Sequence, residues 1–288
     1  MESFIQSKPI TRTPAALGLS FRNVRFHSRE DHMLLHGWFI PGVLLNGQLT
    51  VQRTLIMVHG MHSDRSAEEL GLLDLSAALA CRGFAILAFD MRGHGQSSWA
   101  LLSAGYFEQR DVLGAVDFLH SGQLPYPELG FPRAIGGWGV SMGGATMVLA
   151  AAREPAIQAV VTDCAYADIV LLIMRESRLL SFFIPGIVTA FRVLYGIDYS
   201  TGRPVDVVAQ IAPRPLFFIH SLADTLVPPW NMDDLAKAAS KAPDAHVETW
   251  LVPRAQHVQA FHVMGDEYVE RVVAFFTAAL GPAMSGRS

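Results

Sequence analysis

Residues 137–145 read GWGVSMGGA, a serine set among four glycines directly behind the apolar stretch that begins at Ala134. Glycine inside a strand or helix lowers stability by about 0.5–1 kcal/mol relative to alanine. Four of them in nine residues therefore mark a backbone with no room for side chains. A strand that reverses at once into a helix makes that demand. With Ser141 at the apex, the backbone is strained, the Oγ projects at the top of a sheet, and the residues two before and two after approach each other. Gly139-x-Ser141-x-Gly143 has this form, and Gly144 and Ala145 keep the first helical turn narrow. A dinucleotide fingerprint would need a glycine at Met142, and a phosphate loop would need a lysine that is absent.

Outward from this turn the chain alternates two textures. TLIMVHG (54–60), FAILAFD (84–90), AIGGWGVS (134–141), AIQAVVTD (156–163), PLFFIH (215–220) and VETWLVP (247–253) read as strands. Segments 69–83, 108–120, 142–153, 230–241 and 266–280 have helical spacing. Apolar strands alternating with amphipathic helices predict an α/β fold, with a mostly parallel central sheet covered by helices on both faces. FRNVRFHSR (21–29) alternates polar and apolar, and LLHGWFI (34–40) reads as its antiparallel partner in an N-terminal hairpin. Residues 1–20, with Pro9 and Pro14 and no period, read as a leader. Residues 165–205 are too long for one crossover helix and read as an inserted helical cap or lid of two or three short helices. The core domain is then 21–164 together with 206–281.

Composition narrows the function. Net charge is −4 and no Lys/Arg run is long enough for a nucleic-acid surface. The two cysteines, Cys81 and Cys164, form no CxxC motif, so a disulfide framework or thiolate metal site is not expected. The N-terminal stretch lacks the apolar core of a signal peptide, and the apolar run 179–191 is broken by Ser181, Pro185 and Gly186, so no transmembrane segment is expected. A cytoplasmic setting fits, and a homo-oligomer is left open.

A serine is a weak nucleophile until a base takes its proton, and the base is usually a histidine held by a carboxylate. Position must choose among eleven histidines. Parallel sheets keep their sites at the carboxyl ends of strands. His257 follows strand 247–253 and Asp224 follows strand 215–220, giving the order Ser141, Asp224, His257. His262 competes for the base, and Asp163, which also ends a strand, competes for the acid.

At this point the chain resembles the α/β-hydrolases, in the branch that holds carboxylesterases, lipases and serine aminopeptidase-like hydrolases. The resemblance covers roughly 30–280 and rests on VHGMHSDR (58–65), FDMRGHGQS (89–97), GVSMGG (139–144), HSLADTLVP (220–228) and AQH (255–257). It departs from the family pattern at His220-Ser221, where HG is frequent, and at Arg254, where Gly often stands three residues before the histidine. The resemblance implies Ser141 as nucleophile, Asp224 as acid and His257 as base, with no cofactor. The reaction expected of this set is cleavage of a small carboxylic ester, and the apolar residues of the 165–205 insertion add the expectation of an apolar acyl group. A peptide, amide or thioester substrate, or a binding module on an inactive site, stays open, because a triad does not distinguish leaving groups.

Acyl transfer also needs donors for the developing oxyanion. The N–H of Met142, next after the nucleophile, and that of Met61, in the loop after strand 54–58, are the expected pair. His59 and His62 form an H-x-x-H without a third ligand, so no metal is expected, and His59 reads as a buttress of that loop. Asp90, Arg92 and His94 read as structural members of the glycine loop. In the cap, Ile169, Leu172, Ile173, Leu179, Leu180, Phe182, Phe183, Ile187 and Phe191 are candidates for an acyl-binding face, with Phe182 and Phe183 the chosen pocket residues.

Overall fold

The structure is a computed structural model that describes residues 10–177 and 181–282. Leu179 and Leu180 of the expected acyl face lie outside the described residues.

Strands β1 (Arg22–His27), β2 (Leu34–Ile40), β3 (Arg53–Val58), β4 (Ala85–Phe89), β5 (Ala134–Val140), β6 (Ile157–Asp163), β7 (Leu216–Ser221) and β8 (Val247–Val252) build one sheet in the order β1-β2-β4-β3-β5-β6-β7-β8. β1–β2 and β2–β4 are antiparallel, and every other pairing is parallel. All residues of β3, β4, β5 and β7 are buried, which is why these strands read as continuous apolar runs rather than as alternation. β1 is covered on one face only and alternates exposed with buried.

Helices α1 (Leu72–Ala80), α2 (Gln109–His120), α3 (Met142–Arg153), α4 (Ile169–Glu176), α5 (Ile184–Tyr195), α6 (Pro204–Val207), α7 (Trp230–Ala239), α8 (Ala260–Met264) and α9 (Asp266–Leu280) follow in chain order. They divide the core into two clusters, one on each face of the sheet. α2, α3 and α7 close one face through residues such as Val112, Met147 and Leu235. α1 and α9 close the other through Leu72, Leu79, Tyr268 and Phe276.

Three features have no counterpart in the sequence reading. A two-stranded ribbon pairs Gly42–Val43 with Leu49–Thr50. The five-residue α8 stands between the His257 loop and α9. A short helical passage at Pro204–Val207 and Val208–Ile211 leads into β7. The end of the leader is a single turn at Pro14–Leu17, and Arg12 reaches across to Asp74 of α1 at 2.8 Å.

Segment 165–205 carries α4, α5 and the start of α6. Asp168 caps α4 by accepting from the backbone N–H groups of Val170 and Leu171. α5 opens with Pro185 in its first turn and stops at Gly196 in the left-handed conformation. Its only buried residue is Ile184.

Candidate active site

Ser141 sits between the end of β5 and the start of α3 at φ 53°, ψ −121°. This is left-handed backbone, costly for a residue with a Cβ. The surrounding contacts impose it. The Ser141 N–H donates to the Asp163 carbonyl at 2.7 Å, and the Ser141 carbonyl accepts from Gly144 and Ala145. A Cβ on Gly139 would collide with the backbone of Gly143, and one on Gly143 would collide with the carbonyls of Val58 and His59. The glycines therefore let the first turn of α3 press onto β3 and β5 while the serine stays half-buried and reachable.

The structure brings Ser141, His257 and Asp224 together across 116 and 33 residues of chain: His257 Nε2 lies 3.0 Å from Ser141 Oγ, and His257 Nδ1 lies 2.6 Å from Asp224 Oδ2. Asp224 is fully buried at its side chain, and His257 keeps 18% exposure. Asp224 Oδ1 accepts from the N–H groups of Leu226 and Val227, at 3.0 and 2.8 Å, so the loop after β7 aims the other oxygen at His257. A carboxylate only accepts, so Nδ1 carries the proton and Nε2 presents a lone pair to the serine. His220 donates from Nε2 to the Val227 carbonyl at 2.7 Å and supports the same loop, a role its sequence context did not suggest.

The rivals stand elsewhere. His262 is exposed and its Nε2 donates to the Glu69 carbonyl at 3.1 Å. Asp163 is buried and its Oδ2 accepts from the Tyr268 hydroxyl at 2.9 Å, which in turn accepts from Trp138 Nε1 at 3.2 Å. Asp163 Oδ1 has no partner among the described residues. Burial pushes this carboxyl up from 3.8 to about 6, against the pull of its hydrogen bonds and of His257.

Met142 opens α3, and the first residues of a helix leave their N–H groups without an intrahelical partner, at the positive end of the helix dipole. Gly60 touches the serine: a Cβ there would lie 3.4 Å from Ser141 Cβ. Met61 thus follows directly on the residue that flanks the hydroxyl. His59 fixes this loop with both ring nitrogens, donating from Nδ1 to the Gly60 carbonyl at 2.7 Å and accepting at Nε2 from Met91 N–H at 3.0 Å. Burial first, then the neighbouring His94, lower its pKa to about 3, so it is held neutral.

The glycine loop is tied down by buried charge. Asp90 pairs with the Arg65 guanidinium and accepts from Arg65 and Gln96 N–H. Arg92 bridges Asp111 and Asp31. His94 accepts from the His62 N–H at 3.2 Å. Cys164 Sγ, a His220 ring nitrogen and an Asp224 oxygen lie within 4.8 Å of one another, a spacing that could hold a metal ion. Each is already engaged: Cys164 accepts from Val258 N–H at 3.5 Å, His220 donates to Val227, and Asp224 holds His257.

Phe182 and Phe183 lie edge to face, 5.6 Å between ring centres, and are 85% and 60% exposed. Ile187 is exposed as well, whereas Leu172 is buried.

Comparison with known proteins agrees with the fold. The chain is 28% identical over 267 residues to YfhR of Escherichia coli K12, an uncharacterized protein, covering 91% of this chain and 83% of that one. It superposes on the Pyrococcus furiosus esterase Pf2001 with a TM-score of 0.76 at 26% identity, covering 96% and 98% of the two chains. The Pyrococcus horikoshii acylaminoacyl peptidase shares the fold, with a TM-score of 0.68 at 18% identity over 94% of this chain and 43% of its own. The prolyl oligopeptidase family model matches residues 74–283, a span that holds Ser141, Asp224 and His257. The chain is an α/β-hydrolase and belongs to the prolyl oligopeptidase family.

Proposed function

We propose that the protein is a serine hydrolase that cleaves carboxylic esters through an acyl-enzyme. One observation carries the reading: His257 stands between the Ser141 hydroxyl and the Asp224 carboxylate with both ring nitrogens in hydrogen-bonding range. In the proposed reaction Ser141 Oγ attacks the ester carbonyl carbon while its proton passes to His257 Nε2. Asp224 steadies the imidazolium that forms. The tetrahedral oxyanion takes hydrogen bonds from Met61 and Met142 N–H, each worth about 2.7–4 kcal/mol in the transition state. Collapse expels the alcohol, which takes the proton from His257. A water molecule, deprotonated by His257, then releases the acid from Ser141. The sequence calls for no cofactor in any step.

An apolar acyl chain is the proposed specificity element, because it would cover the exposed rings of Phe182 and Phe183 at about 0.8 kcal/mol per CH₂ fully withdrawn from water. Likeness to a Pyrococcus esterase supports the ester reading. Membership of the prolyl oligopeptidase family favours a second reading, cleavage of an amide bond by the same steps. A panel of p-nitrophenyl esters of rising chain length, aminoacyl amides and acyl-CoA thioesters separates them. The ester reading expects kcat/KM to be highest for esters and to rise with chain length. Amides turned over more efficiently than every ester would reassign the substrate class. Failure of a fluorophosphonate to label Ser141 would remove hydrolysis altogether.

A further inference from the structure

Loop 59–62 follows β3, and loop 91–94 follows β4, its neighbour in the sheet. Each loop sends a histidine ring across to the other. His59 accepts at Nε2 from the Met91 N–H at 3.0 Å, and His94 accepts at Nε2 from the His62 N–H at 3.2 Å. In both rings the second nitrogen donates to a carbonyl of its own loop, His59 Nδ1 to Gly60 at 2.7 Å and His94 Nδ1 to Arg92 at 2.9 Å. The rings stand edge to face, 4.9 Å between centres, and both residues are buried. A ring nitrogen that accepts from an N–H carries no proton, so both imidazoles are neutral with the proton on Nδ1.

This reciprocal clasp decides how the backbone runs at Met61. In a trans peptide unit the C=O and the following N–H point opposite ways. His59 Nδ1–H holds the Gly60 carbonyl, which turns the Met61 N–H away from the His59 ring. His94 Nε2 holds the His62 N–H, which turns the Met61 carbonyl away from the His94 ring. Both peptide units of Met61 are thereby fixed. The Met61 N–H itself has no acceptor among the described residues. Gly60, directly before it, stands against the nucleophile, since a Cβ there would lie 3.4 Å from Ser141 Cβ. His62 is left-handed at φ 59°, a conformation that persists only where neighbours over-determine it, and its N–H is spent on His94.

We infer that the His59–His94 clasp sets the oxyanion donor at Met61, and that His94 is a positioning residue for hydrolysis whose protonation at Nε2 releases the loop. The inference rests on the serine hydrolase reading proposed above. A proton on Nε2 would face the His62 N–H, donor against donor, and the Met61–His62 peptide unit would lose its anchor. His94 faces the His59 ring, His62 and Asp64 of the loop after β3, and Glu108 at the entry to α2. Burial holds it below the usual histidine range; His62 adds to this, and Glu108 and Asp64 oppose it. The clasp is therefore closed at neutral pH and opens as pH falls through the His94 pKa.

Steady-state kinetics with p-nitrophenyl acetate and amide hydrogen exchange of the intact chain test it. His94→Ala should lower kcat by about 100-fold with KM changed by less than about twofold, the mark of an interaction made in the transition state. His94→Gln, whose amide oxygen accepts but does not titrate, should keep kcat within about threefold of wild type. The His62 amide should be protected from exchange in wild type and in His94→Gln and should lose that protection in His94→Ala, a readout that needs no turnover. At the acid end, kcat/KM of the wild type should fall with the second power of proton concentration, one proton for His257 and one for His94. For His94→Gln it should fall with the first power. Circular dichroism at each pH reports that the fold is kept, and His94→Gln carries the test should His94→Ala not fold. The inference is overturned if His94→Ala keeps wild-type kcat, if its His62 amide stays as protected as in wild type, or if wild type and His94→Gln share one acid slope. Failure of the hydrolase reading looks different: the wild type itself would then resist a fluorophosphonate, and the role given to the clasp would fall with it.

Discussion

α3 and α5 are both 12 residues long and both rich in apolar side chains, yet they stand in opposite relations to the core. Every residue of α3 from Met142 to Ala151 is buried, and its first turn is held by backbone contacts on two strands. α5 buries only Ile184, and Val193, Leu194 and Tyr195 are 77%, 69% and 54% exposed. Hydropathy alone does not say which apolar helix is core. Geometry that must hold to fractions of an ångström is built where packing over-determines it, and the apolar surface of α5 stays outside that packing.

Substitution at Ser141 should break the comparison most sharply. Ser141→Ala is expected to lower kcat for ester hydrolysis by roughly 10⁴–10⁶-fold, with His257→Ala nearly as severe, because members of such a unit are non-additive. Thermal melts should show both variants folded. If His257→Ala kept wild-type rates while His262→Ala lost them, the base would be His262.

A matched pair of glycines asks the same question of stability. Gly143→Ala drives a methyl into the carbonyls of Val58 and His59, and should destabilise by about 2–4 kcal/mol in urea titration. Gly186→Ala, in α5, meets nothing within 4 Å and should be neutral or stabilise by about 0.5–1 kcal/mol. Equal effects at the two sites would mean that α5 is packed after all.

Asp163 supplies a pH test of the tight region. Its folded pKa is raised from 3.8 to about 6. The protonated form is therefore favoured in the fold, so its contribution is intact below about pH 4 and is lost as pH rises through 6. Asp163→Asn removes the buried charge while keeping an acceptor for the Tyr268 hydroxyl. Above pH 7 it should be more stable than wild type by about 2–3 kcal/mol, with the gap closing toward pH 4. A gap that does not change with pH would show that folding leaves the Asp163 pKa at its unfolded value.

The smallest effect belongs to the open region. Phe182→Ala or Phe183→Ala should change the ratio of kcat/KM between hexanoate and acetate esters by about threefold, less than the burial of one full CH₂ would give. Melting temperature should move little, since both rings are mostly exposed. A common factor on all esters would send the search for an acyl selector to the 98–107 loop.

The parallel strands were legible because burial on two faces writes itself as an unbroken apolar run, as in LIMV of β3 and AILAF of β4. The turn at Ser141 was legible because its glycines answer a steric demand that few other structures make. Elements too short to repeat a period were not legible: the ribbon strands are two residues each and α8 is five. Neither was the Asp163–Tyr268–Trp138 chain, which joins residues as far as 130 apart and exists only once α9 has packed on the sheet. The positions of Ser141, Asp224 and His257 could be ordered from strand ends, whereas the crossing of His59 and His94 between two loops could be seen only in three dimensions.

The 116 residues between Ser141 and His257 also set a clock. A polypeptide is delivered from its N-terminus at about 5–20 residues per second, so roughly 6–23 seconds separate the emergence of the hydroxyl from that of the imidazole. The hydrogen-bonded row from Asp224 through His257 to Ser141 therefore forms only after β7 and β8 have been delivered.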